Sequence, residues 1–317
     1  MKKTILLISV FLSIVGISCE ENISPVEGYK ERYAFYCILG GDANKHTALL
    51  VKSYQQGNNN IDPFIKGAEI GMFSENFAIY YRDTIVPRID TSQYKTPQQY
   101  YYIKNYEIPL NKKLDIEVLL PNGKRLFAST TTPDTAEFPK NLNVFLPDAE
   151  SSLLTYTWTP SDPNAYVIPR LAFAYYKKVN EVFTYQGEKE VPITYYEHQN
   201  VYTPIYPKAQ RQNSITFEKG ALTRALLDIS RGDVNSNNYA VGIYVKFQLK
   251  ILDKNLSSYY SSTNEKIGEY NINLDQTDYT NITGGYGVFG SYIIQEKTLF
   301  FVEDFIDLFG YSIIFNN

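Results

Sequence analysis

The sequence predicts an all-β fold built as two β-sandwich domains, at residues 31–135 and 153–317, joined by a linker over residues 136–152. Three observations carry that expectation. Short runs of alternating apolar and polar residues recur along the chain and are separated by turn residues, the pattern of half-buried strands. Asn122-Gly123 stands between two such runs, a strong hairpin signal because both residues tolerate positive φ. The 317 residues include 29 Tyr and 18 Phe against a single Trp, and such aromatics favour pleated, half-buried surfaces. With 44% hydrophobic and 20% charged residues, the chain is globular rather than disordered.

The first residues are of another kind. Met1-Lys2-Lys3 is followed by an apolar run from Ile5 to Ile17, interrupted only by Ser9, Ser13 and Gly16. Charge followed by an apolar stretch is the order of a secretory signal, and the run falls short of the about 20 residues that cross a bilayer. It ends at Gly16-Ile17-Ser18-Cys19, which resembles a bacterial lipobox. Small residues precede a cysteine whose thiol is the one side chain there nucleophilic enough to be alkylated by diacylglycerol. The expected processing is a signal peptide over residues 1–18, lipidation at Cys19 and a polar tether over 19–30. An ordinary signal peptide with a chance cysteine is the alternative. Cys37, the second of the two cysteines, lies in the apolar run Tyr33-Ala34-Phe35-Tyr36-Cys37-Ile38-Leu39 and reads as a small buried hydrophobe. A Cys19–Cys37 disulfide is the competing reading for an oxidising compartment.

Strands are expected at residues 33–39, 47–54, 68–73, 77–81 and 100–108, with a long polar loop or insertion at 82–98. Leu114, Ile116 and Val118 alternate into the Asn122-Gly123 turn, and Leu126 and Ala128 alternate out of it. In the second half, strands are expected at 153–159, 167–177, 191–196, 239–252, 269–274, 288–294 and 298–302. Gly187-Glu188-Lys189-Glu190 reads as a turn. Trp158 reads as a core anchor rather than a ligand platform. Two short helices interrupt the strands. Residues 218–230 place Leu222, Ala225, Leu226 and Ile229 at helical spacing, and 253–263 place Leu256, Tyr259 and Tyr260 on one face with Asp253 as the cap.

The segment Asn281-Ile282-Thr283-Gly284-Gly285-Tyr286-Gly287-Val288-Phe289-Gly290 is similar to the closing signature of a large Bacteroidota family of outer-membrane lipoproteins of unknown function. The resemblance extends to Cys19-Glu20-Glu21, Asn122-Gly123, residues 155–162 and the strand-then-helix run through Tyr260, in the same order, and so covers most of the chain after the leader. It implies an Ig-like or prealbumin-like N-terminal sandwich, a second β domain, and association with a TonB-dependent receptor. It also implies that Glu20 and Glu21 direct the protein to the outer membrane and to the cell surface, with the periplasmic face as the other location. Residues 91–102 and the tail after 295 match no feature of that family. Read for chemistry, Gly285-Tyr286-Gly287-Val288-Phe289-Gly290 fits G-x-G-x-x-G, but an apolar strand follows where a phosphate cradle needs a helix. The bend-or-bulge reading of these glycines, feeding a terminal strand, is the stronger one.

The patterns of catalysis are sparse. The two histidines stand apart, His46 at an expected strand start and His198 in an expected loop, both read as surface residues. Carboxylate pairs such as Glu303 with Asp304, or Asp62 with Glu69, carry little information by proximity alone. Asp233-Val234-Asn235-Ser236-Asn237-Asn238 faintly resembles a calcium loop and reads better as a solvated turn. The formal charge is −4 with pI ≈ 5.4, which points away from nucleic acid. The expected function is a non-enzymatic surface or outer-membrane lipoprotein without metal or cofactor. It acts as the accessory of a TonB-dependent uptake system, with a structural or adhesive protein holding glycan or peptide on Tyr-rich surfaces as the alternative, and a hydrolase behind both.

Overall fold

Alternation along one strand near the N-terminus decides how the molecule is layered. The computed structural model describes residues 31–53, 63–87, 97–147, 152–199, 201–231, 233, 235–263 and 279–315. In β1 (Tyr33–Gly40), Phe35, Cys37 and Leu39 enter one core while Tyr36 enters another on the opposite face. A strand buried on both faces must sit inside a sheet. β1 does: it pairs antiparallel with β2 (Lys45–Lys52) and parallel with β19 (Tyr286–Phe301), far downstream, in the register Ala34↔Tyr286 to Gly40↔Tyr292.

The N-terminal half is a sandwich. β3 (Glu69–Ser74), β4 (Phe77–Tyr80), β7 (Lys113–Leu119) and β8 (Arg125–Thr131) form a four-stranded sheet in the order β4-β3-β7-β8. Its inner residues Ile70, Met72, Leu114, Ile116, Val118 and Leu126 pack on Phe35, Cys37, Leu39, Leu50 and Tyr101. Tyr101 belongs to β6 (Gln98–Lys104), which pairs with β2 and with the edge strand β5 (Arg82–Val86). β5 falls where a polar loop was expected at 82–98. An edge strand open to solvent need not alternate, and four of its five residues are exposed. The β7–β8 turn holds Pro121-Asn122-Gly123, with Gly123 at φ +82° and its N–H bonded to Leu120 O at 2.9 Å. Only Gly123 takes positive φ, because proline holds the first turn position at negative φ and lengthens the loop beyond two residues.

The ten-stranded sheet continues through the second half in the order β14-β13-β18-β19-β1-β2-β6-β5, where β13 is Val167–Val179, β14 is Val182–Val191 and β18 is Tyr239–Leu252. The expected linker carries β9 (Ala136–Glu137) and β10 (Phe145–Leu146), and Ala136 and Leu146 are fully buried, so residues 136–147 are packed structure. Leu171, Phe173, Val245, Phe247 and Leu249 of the sheet face a cover made of β11 (Leu153–Thr157), β12 (Thr159–Pro160), β17 (Ser214–Glu218) and α1 (Lys219–Ile229). Trp158 lies in this core, 1% exposed and 6.2 Å from Phe247. α1 buries Ala221, Leu222, Ala225 and Leu226, the face its spacing promised.

The β13–β14 turn is Asn180-Glu181, both at positive φ, rather than 187–190. Gly187 instead sits opposite Tyr175 where the register shifts, so residues 187–190 lie inside β14. A glycine beside charged residues signals a bulge as readily as a turn. β15 (Thr194–His198) and β16 (Val201–Ile205) make a separate hairpin, and β20 (Ser312–Ile314) adds to β18 beyond α3 (Glu303–Asp307). The expected strands at 288–294 and 298–302 are one strand, β19. The strand expected at 269–274 lies outside the described residues.

Helix α2 (Lys254–Thr263) sits over the β1–β19 seam through Leu256 and Tyr259, which pack on Tyr36, Leu252 and Val288. Asp253 begins it, its Oδ1 accepting from Leu256 N at 2.8 Å. Its Oδ2 accepts from Thr130 Oγ1 of β8 at 2.6 Å and from Ser291 of β19 twice, N at 2.5 Å and Oγ at 2.9 Å. One buried carboxylate thus ties three chain segments together. Asn281 adds a second tie, receiving Phe289 N at 2.9 Å and donating to Phe289 O at 2.7 Å. The glycines that follow are steric necessities: Gly287 has φ +107° and a Cβ there would overlap Phe35 O, while a Cβ on Gly290 would lie 2.6 Å from Leu256 Cγ.

Burial pushes the Asp253 carboxyl up from 3.8 to about 6, against the pull of its Leu256, Thr130 and Ser291 donors. A raised acid binds its proton more tightly when folded, so this group's contribution to stability falls as pH rises through the interval from about 4 to about 6 and is level above it. Between pH 4 and pH 7 the loss is about 2 kcal/mol. Urea denaturation of wild type and Asp253→Asn at both pH values checks this. The variant's stability should change over that interval by about 2 kcal/mol more favourably than wild type's; equal changes would contradict the assignment.

Candidate functional site

Even-numbered residues of β18 point away from the core. Beyond the reach of α2, no second layer covers the sheet face they form among the described residues. There, Tyr244, Lys246, Gln248 and Lys250 run in line along β18, with Arg170, Ala172 and Ala174 on β13, Glu188 and Glu190 on β14, and Glu296, Thr298 and Phe300 on β19 beside them. Register places Gln248 between Arg170 and Glu296, and the side chains bond accordingly. Arg170 donates to Gln248 Oε1 at 2.7 Å, and Gln248 Nε2 donates to Glu296 Oε2 at 2.8 Å. Arg170 also reaches Glu188 at 2.9 Å and Glu190 at 3.5 Å, and Lys246 meets Glu188 at 2.8 Å. Burial raises the Glu188 carboxyl, but Lys246 and Arg170 outweigh it and hold the group below the usual carboxylate range. Contact with Glu188 in turn raises the Lys246 ammonium. The ladder is therefore a row of hydrogen-bonded donors and acceptors in which Arg170 and Lys246 are paired with Glu188 and Glu190.

At the Tyr244 end the ladder meets an aromatic groove. β19 parts from β18 there and β20 takes its place, leaving a recess of about 420 Å³ lined by Phe145, Tyr244, Phe300, Val302, Glu303 and Phe315 among others. Tyr244 and Phe300 stand edge to face at 5.5 Å, and Phe145 lies 6.1 Å from Phe300. Phe145 and Phe315 are each 59% exposed, far more than a phenylalanine in a core. Of the carboxylates singled out in the sequence, Glu303 lines this recess and Asp304 is exposed beside it in the first turn of α3. Glu69 is exposed at the start of β3, and Asp62 lies outside the described residues.

The β15–β16 hairpin is a second aromatic surface. One face packs on α1: the Arg224 guanidinium lies 3.3 Å from the Tyr202 ring centroid and 5.5 Å from that of Tyr195, and Tyr202 donates to Glu197 at 2.8 Å. The other face shows Tyr196, 60% exposed, with its ring nearly parallel to that of His198 at 6.4 Å, and beside them Val201 and Ile205. His198 thus closes a strand rather than standing in a loop.

His46 is not a surface residue. It is buried in β2, with Nδ1 accepting from Gly40 N at 3.3 Å and Nε2 donating to Tyr106 O at 2.8 Å. Both ring nitrogens serve the backbone, which leaves neither for a metal. Cys37 is a free, fully buried thiol 3.2 Å from Tyr81 Oη, and burial pushes it up to about 12. Asp233 closes a turn, accepting from Asn235 N at 3.1 Å and Tyr239 Oη at 3.1 Å and pairing with Lys177. The glycine signature runs into strand β19, as the bend-and-strand reading required. Cys19, the expected lipidation site, lies with the tether outside the described residues.

A strand is expected from the sequence at 239–252, where Tyr244, Lys246 and Gln248 are not singled out, although the alternation there is the signal that puts them on one face. Their partners Arg170, Glu188, Glu296 and Phe300 come from three other strands whose register no local pattern fixes. The chain matches no protein-family model and no curated protein.

Burial lowers the His46 imidazole below its ordinary value of 6.5. At pH 6.5, ¹⁵N-edited NMR should show His46 neutral with the proton on Nε2; a charged ring at that pH would contradict the buried placement.

Proposed function

We propose that the chain is a lipid-anchored outer-membrane protein of the Bacteroidota type, held through Cys19 at the cell surface, that serves as a non-enzymatic binding accessory of a TonB-dependent uptake system. The observation that carries this reading is Gly16-Ile17-Ser18-Cys19-Glu20-Glu21 standing a short way ahead of the first strand. Residues 20–30, at about 3.5 Å each when extended, let the β body work within about 40 Å of the lipid. The order of the later motifs, similar to that of surface lipoproteins of this group, points the same way.

The open sheet face supports binding over turnover. A glycosidase acid needs a carboxyl raised toward neutrality. Glu188 is held low by Arg170 and Lys246, so it stays ionised and keeps its partners in place. The second reading, an adhesive or structural envelope protein, draws on the exposed Tyr196, His198, Val201 and Ile205 of the β15–β16 hairpin, a surface shaped to lie on another chain.

Cells expressing the protein should incorporate labelled palmitate into it and carry it in the outer-membrane fraction. Cys19→Ser should remove the label and release the chain. Protease added to whole cells should degrade the wild type, and mild-detergent capture should recover a TonB-dependent receptor. Label retained in Cys19→Ser would contradict the anchor; capture without any receptor would favour the adhesive reading.

A further inference from the structure

The aromatic groove and the charge ladder share one line on the sheet. Tyr244, Lys246 and Gln248 are alternate residues of β18, each about 7 Å from the next. Phe300 is the register partner of Tyr244, and Glu296 of Gln248. Beside that line the side chains are small: Ala172 and Ala174 follow Arg170 on β13, and Gly242 precedes Tyr244, with Ala172 buried beneath its longer neighbours. A ligand lying along β18 would therefore meet aromatic rings first and hydrogen-bonding polar groups next.

We propose that this face binds an uncharged oligosaccharide, with a terminal or internal sugar ring seated in the groove of Phe145, Tyr244, Phe300 and Phe315 and the following sugars on the ladder. The inference rests on the reading of the chain as a binding module and names the ligand class of its open face. Two features select the class. The apolar C–H face of a sugar stacks on an aromatic ring while its rim of hydroxyls needs hydrogen-bond partners, so such a ligand requires both surfaces side by side. The ladder's cations are also already engaged, Arg170 by Glu188 and Glu190, Lys246 by Glu188 and Lys250 by the Tyr292 ring, while Glu296 is held by Gln248. A polyanion would have to draw Arg170 or Lys246 out of these pairs and leave a carboxylate unpaired beside itself. A polyhydroxyl chain adds hydrogen bonds to Gln248, Glu296 and the ion pairs without breaking them. An apolar peptide would fill the groove but offer the ladder only its backbone amides.

The test is calorimetric titration of the mature lipoprotein in detergent micelles with cellohexaose, maltohexaose, xylohexaose and mannohexaose. Oligogalacturonate, chitosan oligomer and a Leu-Phe-rich tetrapeptide serve as the anionic, cationic and apolar probes. At least one uncharged hexasaccharide should bind saturably, with Kd below about 1 mM. Tyr244→Ala and Phe300→Ala should each weaken it at least about tenfold. Both rings also pack on the core, so Phe145→Ala, at a residue 59% exposed, is the variant whose loss of affinity a folding defect would not explain. The proposal is overturned if no uncharged hexasaccharide binds, if a charged or apolar probe binds more tightly, or if the affinity survives Phe145→Ala together with the other two. It is equally overturned if sedimentation finds a dimer that Phe145→Ala dissolves, since the occupant would then be a second copy. Palmitate labelling reads the anchor separately. A labelled chain that binds no sugar keeps the lipoprotein reading and loses this one, and an unlabelled chain that binds does the reverse.

Discussion

The parallel pairing of β1 with the first half of β19 is the contact on which the rest of the molecule depends. Parallel neighbours need a long crossover, and here the crossover is nearly the whole described chain. Because β19 goes on to pair with β18, the same strand places Phe289 in the N-terminal core and Leu299 and Phe301 in the C-terminal one. The seam is held at close quarters. Asp253 joins β8, β19 and α2 through one carboxylate, Asn281 supplies Phe289 with both of its backbone partners, and Gly287 and Gly290 remove the side chains that would keep β1 and α2 away. A long-range pairing of this kind gains nothing until both ends are in place, so its polar ties must be satisfied together.

That geometry also explains why the open face lies where it does. α2 covers the sheet beside the seam, and β11, β17 and α1 cover the opposite side of β13 and β18. Among the described residues, what stays uncovered is the outer side of β14, β13, β18 and the second half of β19. Four strands in register bring together side chains far apart in sequence, and hydrogen bonds and ion pairs link Arg170, Glu188, Lys246, Gln248 and Glu296 to one another. Preorganised groups of this kind bind without the entropy of being ordered.

Much of this was legible in the sequence, and the gaps have physical causes. The strands of the sandwich, the buried Trp158 and Cys37, and both helices with Asp253 at the second one's start follow from alternation, helical spacing and cap chemistry. The edge strand β5 was hidden because an exposed edge has no apolar face to betray it. Residues 187–190 resemble a turn in the sequence because Gly187 marks a bulge with the same residue type. His46 was placed at the surface because burial of an imidazole depends on two backbone groups, Gly40 N–H and Tyr106 C=O, that only the tertiary fold delivers. The glycine signature was readable as a bend, but its purpose, letting β19 lie against Phe35 and Leu256, required the pairing of strands from opposite ends of the chain. The open face was half visible for the same reason: its β18 row shows in the alternation, and the rows beside it do not.

The shared strand has a direct consequence, that neither core should come apart while the other stands. Each core contains its own reporter. Cys37 is buried in the N-terminal core with its thiol pushed up to about 12, and Trp158 is buried in the C-terminal core. In Cys19→Ser protein, where Cys37 is the remaining thiol, urea unfolding can be followed at once by reaction of that thiol with a chromogenic disulfide and by Trp158 fluorescence. Coincident transitions at one urea midpoint are expected. A thiol that becomes reactive at clearly lower urea, while Trp158 keeps its folded emission, would show the N-terminal sandwich opening alone and would contradict the role given to the β1–β19 seam.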